Sequence, residues 1–101
     1  MRDQELYGGL VRLHVLYHAD KEVIFGLGII EELRRHGYQL SAGTLYPMLH
    51  SMEKGGYLRS RMRIVNGRMR RNYLITAKGR EALSSAKEKV RELFGELLED
   101  D

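Results

Sequence analysis

The chain has 101 residues, 43% of them hydrophobic and 31% charged, with no cysteine and a formal net charge of +3. That is one domain with enough apolar residues for a core, which argues against wholesale disorder and excludes most multi-site enzymes, disulfides and thiolate chemistry. No apolar run approaches the about 20 residues of a membrane span, and the opening Met1-Arg2-Asp3-Gln4-Glu5 is polar rather than signal-like, so a cytoplasmic location is expected.

The modest net charge conceals a segregation. Residues 1–40 carry 5 basic and 6 acidic side chains, residues 41–80 carry 9 and 1, and residues 81–101 carry 3 and 7. The centre therefore holds +8 between a nearly neutral start and an acidic end, the pattern of a surface that faces a polyanion.

Leu6, Leu10, Leu13, Leu16 and Tyr17 recur at helical spacing and predict a first helix over about Asp3 to His18, with Val11 and His14 at the margin of its inner stripe. Gly8-Gly9 within it costs roughly 1 kcal/mol per glycine relative to alanine, which points to a close packing contact or a later start. A turn is expected at Ala19-Asp20-Lys21-Glu22. A second helix, near Phe25 to His36, turns Ile29, Ile30 and Leu33 inward and stops at Gly37.

Ser41 is a good N-cap for a third helix that ends near Lys54-Gly55-Gly56, with Leu45, Met48, Leu49 and Met52 inward. Gly43, Pro47, His50 and Lys54 form the opposite stripe, free of acids, with Tyr46 and Ser51 at its edges. Pro47, the only proline, predicts an irregular first turn because it lacks a backbone donor.

From Tyr57 the period becomes two. Asn66-Gly67 between two alternating runs signals a hairpin with a two-residue turn, which pairs Val65 with Arg68, Ile64 with Met69, Arg63 with Arg70 and so on to Leu58 with Ile75. One face is then largely apolar (Leu58, Met62, Ile64, Met69, Tyr73, Ile75) and the other rich in arginine. Thr76 caps a last helix from Ala77 to about Glu99, with Ala82, Leu83, Ala86, Val90, Leu93, Phe94, Leu97 and Leu98 at steps of three and four. At 1.5 Å per residue such a helix is roughly 34 Å long, more than the small body can cover, so its distal stripe needs a partner.

Three helices followed by a basic hairpin is the order of a winged helix-turn-helix, in which the third helix enters the major groove and the hairpin reaches the neighbouring backbone. The fold class is mainly α (α+β), with a two-stranded wing and a long C-terminal helix. Arg63 and Arg70 directly opposite each other on one face would destabilise a sheet unless an anion relieves them, and the planar guanidinium suits phosphate. The competing reading is a charged edge that resists aggregation; six arginines and no acid between Arg59 and Arg71 favour nucleic acid. On the third helix, Gly43 allows close backbone approach, Thr44 and His50 suit base edges, and Tyr46 and Lys54 suit phosphates; the competing reading makes Thr44 and Ser51 mere polar surface and Tyr46 packing.

Other signals are weaker. His14 and His18 stand four apart on a helix, a spacing that holds metals, but no carboxylate or cysteine is placed by the sequence to complete a site. A packing or surface role is therefore expected, with no metal and no cofactor. Gly26-Leu27-Gly28 lacks the third glycine and the preceding strand of a dinucleotide fingerprint, and no serine elbow, phosphate loop or paired-acid arrangement is present. The chain is read as a non-enzyme. The acidic end, Glu96 to Asp101, reads as a frayed, solvated terminus.

Gly43-Thr44-Leu45-Tyr46-Pro47-Met48-Leu49, Met52-Glu53-Lys54-Gly55-Gly56-Tyr57-Leu58 and Arg71-Asn72-Tyr73-Leu74-Ile75-Thr76-Ala77-Lys78-Gly79 resemble the PadR family of transcriptional regulators, from about Leu6 to Arg80. Leu27 departs from it, standing where the family commonly has tyrosine. The resemblance implies a homodimeric repressor, joined through the C-terminal helix and often the first, that binds an inverted repeat. Some members release DNA on binding a phenolic or hydrophobic cationic compound. The absence of tryptophan here removes the aromatic sandwich of the multidrug-sensing branch, and the short C-terminal region fits the compact branch. Any effector pocket would draw on Tyr7, Tyr17, Phe94 and aliphatic residues.

The expected partners are thus double-stranded DNA and a second copy of the chain, with a small-molecule effector left open. Residues 1–76 form the expected DNA-binding unit and residues 77–101 the dimerisation helix. The candidate DNA contacts are Ser41, Gly43, Thr44, Tyr46, Pro47, His50, Ser51 and Lys54 with Arg61, Arg63, Arg68, Arg70 and Arg71. The candidate dimer contacts are Leu83, Ala86, Val90, Leu93, Phe94 and Leu97. The alternative is a winged-helix protein-interaction module whose basic hairpin holds an acidic partner.

Overall fold

A computed structural model describes residues 2–99; Met1, Asp100 and Asp101, which the readings of the two termini included, lie outside the described residues. Along the chain run α1 (Asp3–Lys21), β1 (Ile24–Phe25), α2 (Gly26–Arg35), α3 (Ala42–Lys54), β2 (Leu58–Val65), β3 (Arg68–Ile75) and α4 (Ala77–Phe94), which ends in a π-helical turn over Gly95–Glu99.

The hairpin has the predicted register at every pair, from Val65 opposite Arg68 to Leu58 opposite Ile75. Its turn is set by Asn66 and Gly67, whose φ angles of 52° and 76° are the positive values that a type I′ turn demands of both central residues. The sheet has three strands rather than the expected two. Ile24 pairs antiparallel with Tyr73 and Phe25 with Asn72, giving the order β1-β3-β2. A two-residue strand has no periodicity to detect, and Phe25 doubles as the N-cap of α2.

The core joins Val11, Val15, Leu16 and Ala19 of α1 to Ile29 and Leu33, to Leu45, Leu49 and Met52, and to Ile24, Leu58, Tyr73, Ile75 and Leu83. This corrects the first helix. It continues through the expected turn to Lys21, and its predicted inner residues Leu6, Leu10 and Tyr17 are exposed. At 100° per residue the Leu6–Leu10–Tyr17 stripe lies about half a turn from the Val11–Val15–Ala19 face, so α1 has two apolar faces and only one meets the chain's own core.

The first turn of α3 is regular despite Pro47. The Ser41 hydroxyl accepts from the Thr44 amide at 3.2 Å, and the Leu45 amide donates to the Ser41 carbonyl at 3.0 Å. Pro47 sits one turn further in, and the donor it lacks would have met the carbonyl of Gly43, an exposed residue within reach of water.

α3 is fastened to α4 and to the wing by separate sets of bonds. The Thr76 hydroxyl donates to the Gly56 carbonyl at 2.6 Å while accepting from the Gly79 amide at 3.0 Å, and Lys78 Nζ donates to the Gly55 carbonyl at 2.6 Å. A Cβ at Gly79 would collide with the Tyr57 carbonyl oxygen, so this close approach of α4 needs a glycine. On the wing side, Glu53 Oε2 accepts from both the amide (3.0 Å) and the hydroxyl (2.7 Å) of Ser60.

The outer part of α4 leaves the body. The radius of gyration is 14.7 Å and the longest extent 55 Å, against about 13 Å for a compact chain of this length. Leu83, among the candidate dimer contacts, is only 6% exposed and packs in the chain's own core. Phe94 is 50% and Leu97 70% exposed, and Val90, Leu93 and Leu98 are uncovered with them.

Candidate nucleic-acid interface

The core-facing residues of α3, Leu45, Leu49 and Met52, are buried, which turns Gly43, Pro47, His50 and Lys54 to solvent. The helix thus presents the predicted acid-free stripe. Its two edges differ. Tyr46 and His50 line a groove of about 810 Å³ that runs between α3 and the wing, walled by Phe25, Gly26, Arg68, Arg70 and Arg71 with Tyr73 behind them. Thr44 faces the other way, with Met48, toward the start of α1 and the loop around Tyr38. Its hydroxyl is the acceptor for Ser41 Oγ at 3.3 Å, so Ser41 and Thr44 are partly used by the helix cap. Ser51 is exposed on that same side.

Tyr46 lies directly over Gly26, where any Cβ would enter its ring. The absence of a side chain at the start of α2 therefore sets the height at which the Tyr46 hydroxyl stands in the groove. Burial holds the pKa of the Tyr73 hydroxyl above its ordinary 10.0, opposed by Arg71 and reinforced by Glu53 and Tyr46. That group stays protonated.

The wing arginines divide into three kinds. Arg61, Arg63 and Arg68 are exposed, and no acid among the described residues pairs with them. Arg70 is half-buried, its guanidinium 3.9 Å from the centre of the Phe25 ring. Its Nε has no hydrogen-bond partner. The repulsion expected between Arg63 and Arg70 is thus relieved by drawing Arg70 onto an aromatic face of β1, a contact invisible while β1 is unrecognised. Arg71 points to the other face and donates from Nη1 to Ser60 Oγ at 2.9 Å, which joins it to Glu53 at the end of α3. The predicted apolar face is sealed only at its base, by Leu58, Tyr73 and Ile75; toward the tip Met62 and Met69 are open and Ile64 is 74% exposed.

A second cluster lies away from this surface. His14 and His18 of α1 meet His36, the C-cap of α2, and Glu32 stands beside them. The His14 and His36 rings stack at 4.4 Å. Burial, His36 and His18, in that order, hold the His14 imidazole below its ordinary pKa of 6.5. Sequence spacing found the two histidines of α1 but missed His36 and Glu32, which only the packing of α2 on α1 brings alongside.

Residues 15–85 match the family model of the transcriptional regulator PadR-like family. The chain is 45% identical over 95 residues to transcriptional regulator Rv3488 of Mycobacterium tuberculosis, covering 94% of this chain and 89% of that one. Among solved structures it is similar to a PadR family transcriptional regulator of Eggerthella lenta, with a TM-score of 0.81, 29% identity, and coverage of 96% of this chain and 88% of the other. It is equally similar to a PadR-like transcriptional regulator of Bacillus cereus, with a TM-score of 0.81, 27% identity and coverage of 96% and 99%. No helix among the described residues is long and apolar enough to cross a membrane. With a winged helix, an acid-free stripe on α3 and an arginine-rich wing in place, these matches make the chain a member of the PadR-like family of transcriptional regulators.

Proposed function

We propose that the chain is a cytoplasmic, homodimeric repressor that binds an inverted-repeat operator, with residues 1–76 as the DNA-binding unit and residues 77–101 as the dimerisation helix. The observation that carries this reading is the separation of two uncovered surfaces. The α3 stripe and the wing are basic or neutral, whereas the exposed stripe of Val90, Leu93, Phe94 and Leu97 and the Leu6–Leu10–Tyr17 face of α1 are apolar. α4 carries Lys87, Lys89 and Arg91 among Glu88, Glu92 and Glu96, so it is charge-compatible with an antiparallel copy of itself across a two-fold axis. Ala86, Val90, Leu93, Phe94 and Leu97 are the α4 residues assigned to that contact.

In the DNA reading Gly43, Pro47 and His50 approach the major groove, with Thr44 and Ser51 at its margin. Tyr46, Lys54, Arg61, Arg63 and Arg68 take phosphates, with Arg70, Arg71 and Ser41 holding the frame at its edge. A small-molecule effector fits the same scheme: the groove between α1 and α4, lined by Leu10, Leu13, Tyr17, Val90 and Phe94, has a volume of about 670 Å³, within the range of ligand pockets.

Selection of bound duplexes from a random pool, with sedimentation of the selected complex, tests the reading. A two-fold motif bound by two chains is the expected result. Binding of an acidic protein with no duplex affinity at low salt would instead establish a protein-interaction module.

A further inference from the structure

We infer that His14, His18, His36 and Glu32 form a binding site for a divalent transition-metal ion of the zinc class, separate from the DNA-reading surface and independent of the operator proposal.

The ligand atoms of the three histidines lie within 4.8 Å of one another. Glu32 Oε1 is 3.7 Å from His18 Nε2 and 3.8 Å from His36 Nε2. Two ligands of one tetrahedral zinc ion, each bound at about 2.0–2.1 Å, stand about 3.3–3.4 Å apart. The carboxylate oxygen is within about 0.5 Å of that spacing, and the imidazoles need close by at most about 1.5 Å, a movement of side chains rather than of the backbone.

Two further observations point to a ligand. His18 Nε2 is buried with no hydrogen-bond partner, 3.7 Å from Glu32 Oε1. A nitrogen taken from water without a partner is disfavoured, and a cation beside its lone pair removes the penalty. Glu32 is also held in a useful orientation: Arg35 Nη1 donates to its Oε2 at 2.8 Å, which leaves Oε1 toward the imidazoles. A ligating carboxylate with its second oxygen so fixed is the arrangement that metal sites use to orient their donors.

Three imidazoles and one carboxylate are a borderline set that suits zinc and its neighbours and discriminates against calcium and magnesium, which prefer oxygen alone. A bound ion would clasp the middle of α1 to the C-terminal end of α2. Imidazole must be neutral to bind, so affinity falls as the solution is acidified.

The test uses the untagged full chain, stripped with a chelator and titrated with zinc ions against a chromophoric competitor at about pH 7.5. One ion per chain with micromolar or tighter affinity is expected, weakened at least about tenfold in His18→Ala, His36→Ala and Glu32→Gln. The same titration followed by imidazole NMR on the unaltered chain avoids any dependence on variants folding. The resonances of His14, His18 and His36 should move on zinc addition while those of His50, on α3, stay in place. Affinity weaker than about millimolar, undiminished binding in the His18 and His36 variants, or a shift confined to His50 would each overturn the site.

Discussion

Arg63 and Arg70 face each other across the wing, yet the structure predicts different consequences for their loss. Arg63 is exposed with no acidic partner among the described residues, so Arg63→Ala should leave the fold intact and remove a phosphate contact. Each neutralised phosphate contributes about 0.9 to the slope of log affinity against log salt, so two wings per operator should flatten that slope by about 1.8. Arg70 instead covers the Phe25 ring at 3.9 Å. A half-buried cation–π contact is worth about 1 kcal/mol, and in a domain of this size that lowers Tm by about 4–8 °C. Arg70→Ala should therefore appear first in thermal unfolding. Fluorescence anisotropy with a labelled operator across a salt series, alongside thermal melts of each variant, separates the two effects. An unchanged slope in Arg63→Ala would remove the wing from the phosphates, and an unchanged Tm in Arg70→Ala would show that the stacking contributes no stability.

Three further outcomes are expected. Gly79→Ala should lose stability by about 1–3 kcal/mol through overpacking against the Tyr57 carbonyl, whereas Gly9→Ala, whose Cβ meets nothing within 4 Å, should gain about 0.5–1 kcal/mol in the helix interior; urea denaturation of both checks the opposite signs. Phe94→Asp should halve the sedimenting mass at micromolar concentration without changing helix content. Gly26→Ala should push the Tyr46 ring out of place and weaken operator binding by about tenfold, the size of one lost contact, with the sedimenting mass retained.

What could be read in the sequence depended on how local each determinant was. Asn66-Gly67 carried the whole wing register because a two-residue turn leaves no freedom in the pairing, and Ser41 with Gly55 bounded α3 to within a residue. β1 escaped because two residues carry no period. The first helix misled for a different reason: apolar residues at helical spacing do not say whether they meet the same chain or another, and Leu6, Leu10 and Tyr17 lie opposite the face that is buried. The α4 expected to run to about Glu99 gives way at Gly95 to a π turn, a local widening that an apolar stripe continuing through Leu97 and Leu98 does not betray. The candidate DNA stripe was legible as a composition of one helix face, but the division of labour among the arginines was not, since Arg70 is defined by Phe25 and Arg71 by Ser60 and Glu53.

The bonds from Thr76 and Lys78 to the carbonyls of Gly56 and Gly55 leave no slack between the helix assigned to reading DNA and the helix assigned to dimerisation. In a two-fold assembly the pair would act as the jaws of a caliper whose hinge is the α4 crossing. With reading heads about 34 Å apart, each about 17 Å from the axis, a rotation of about 10° carries each head about 3 Å, close to the rise of one base pair. The distance between half-sites then becomes a length the protein measures, and whatever alters the crossing of two helices far from the DNA resets it.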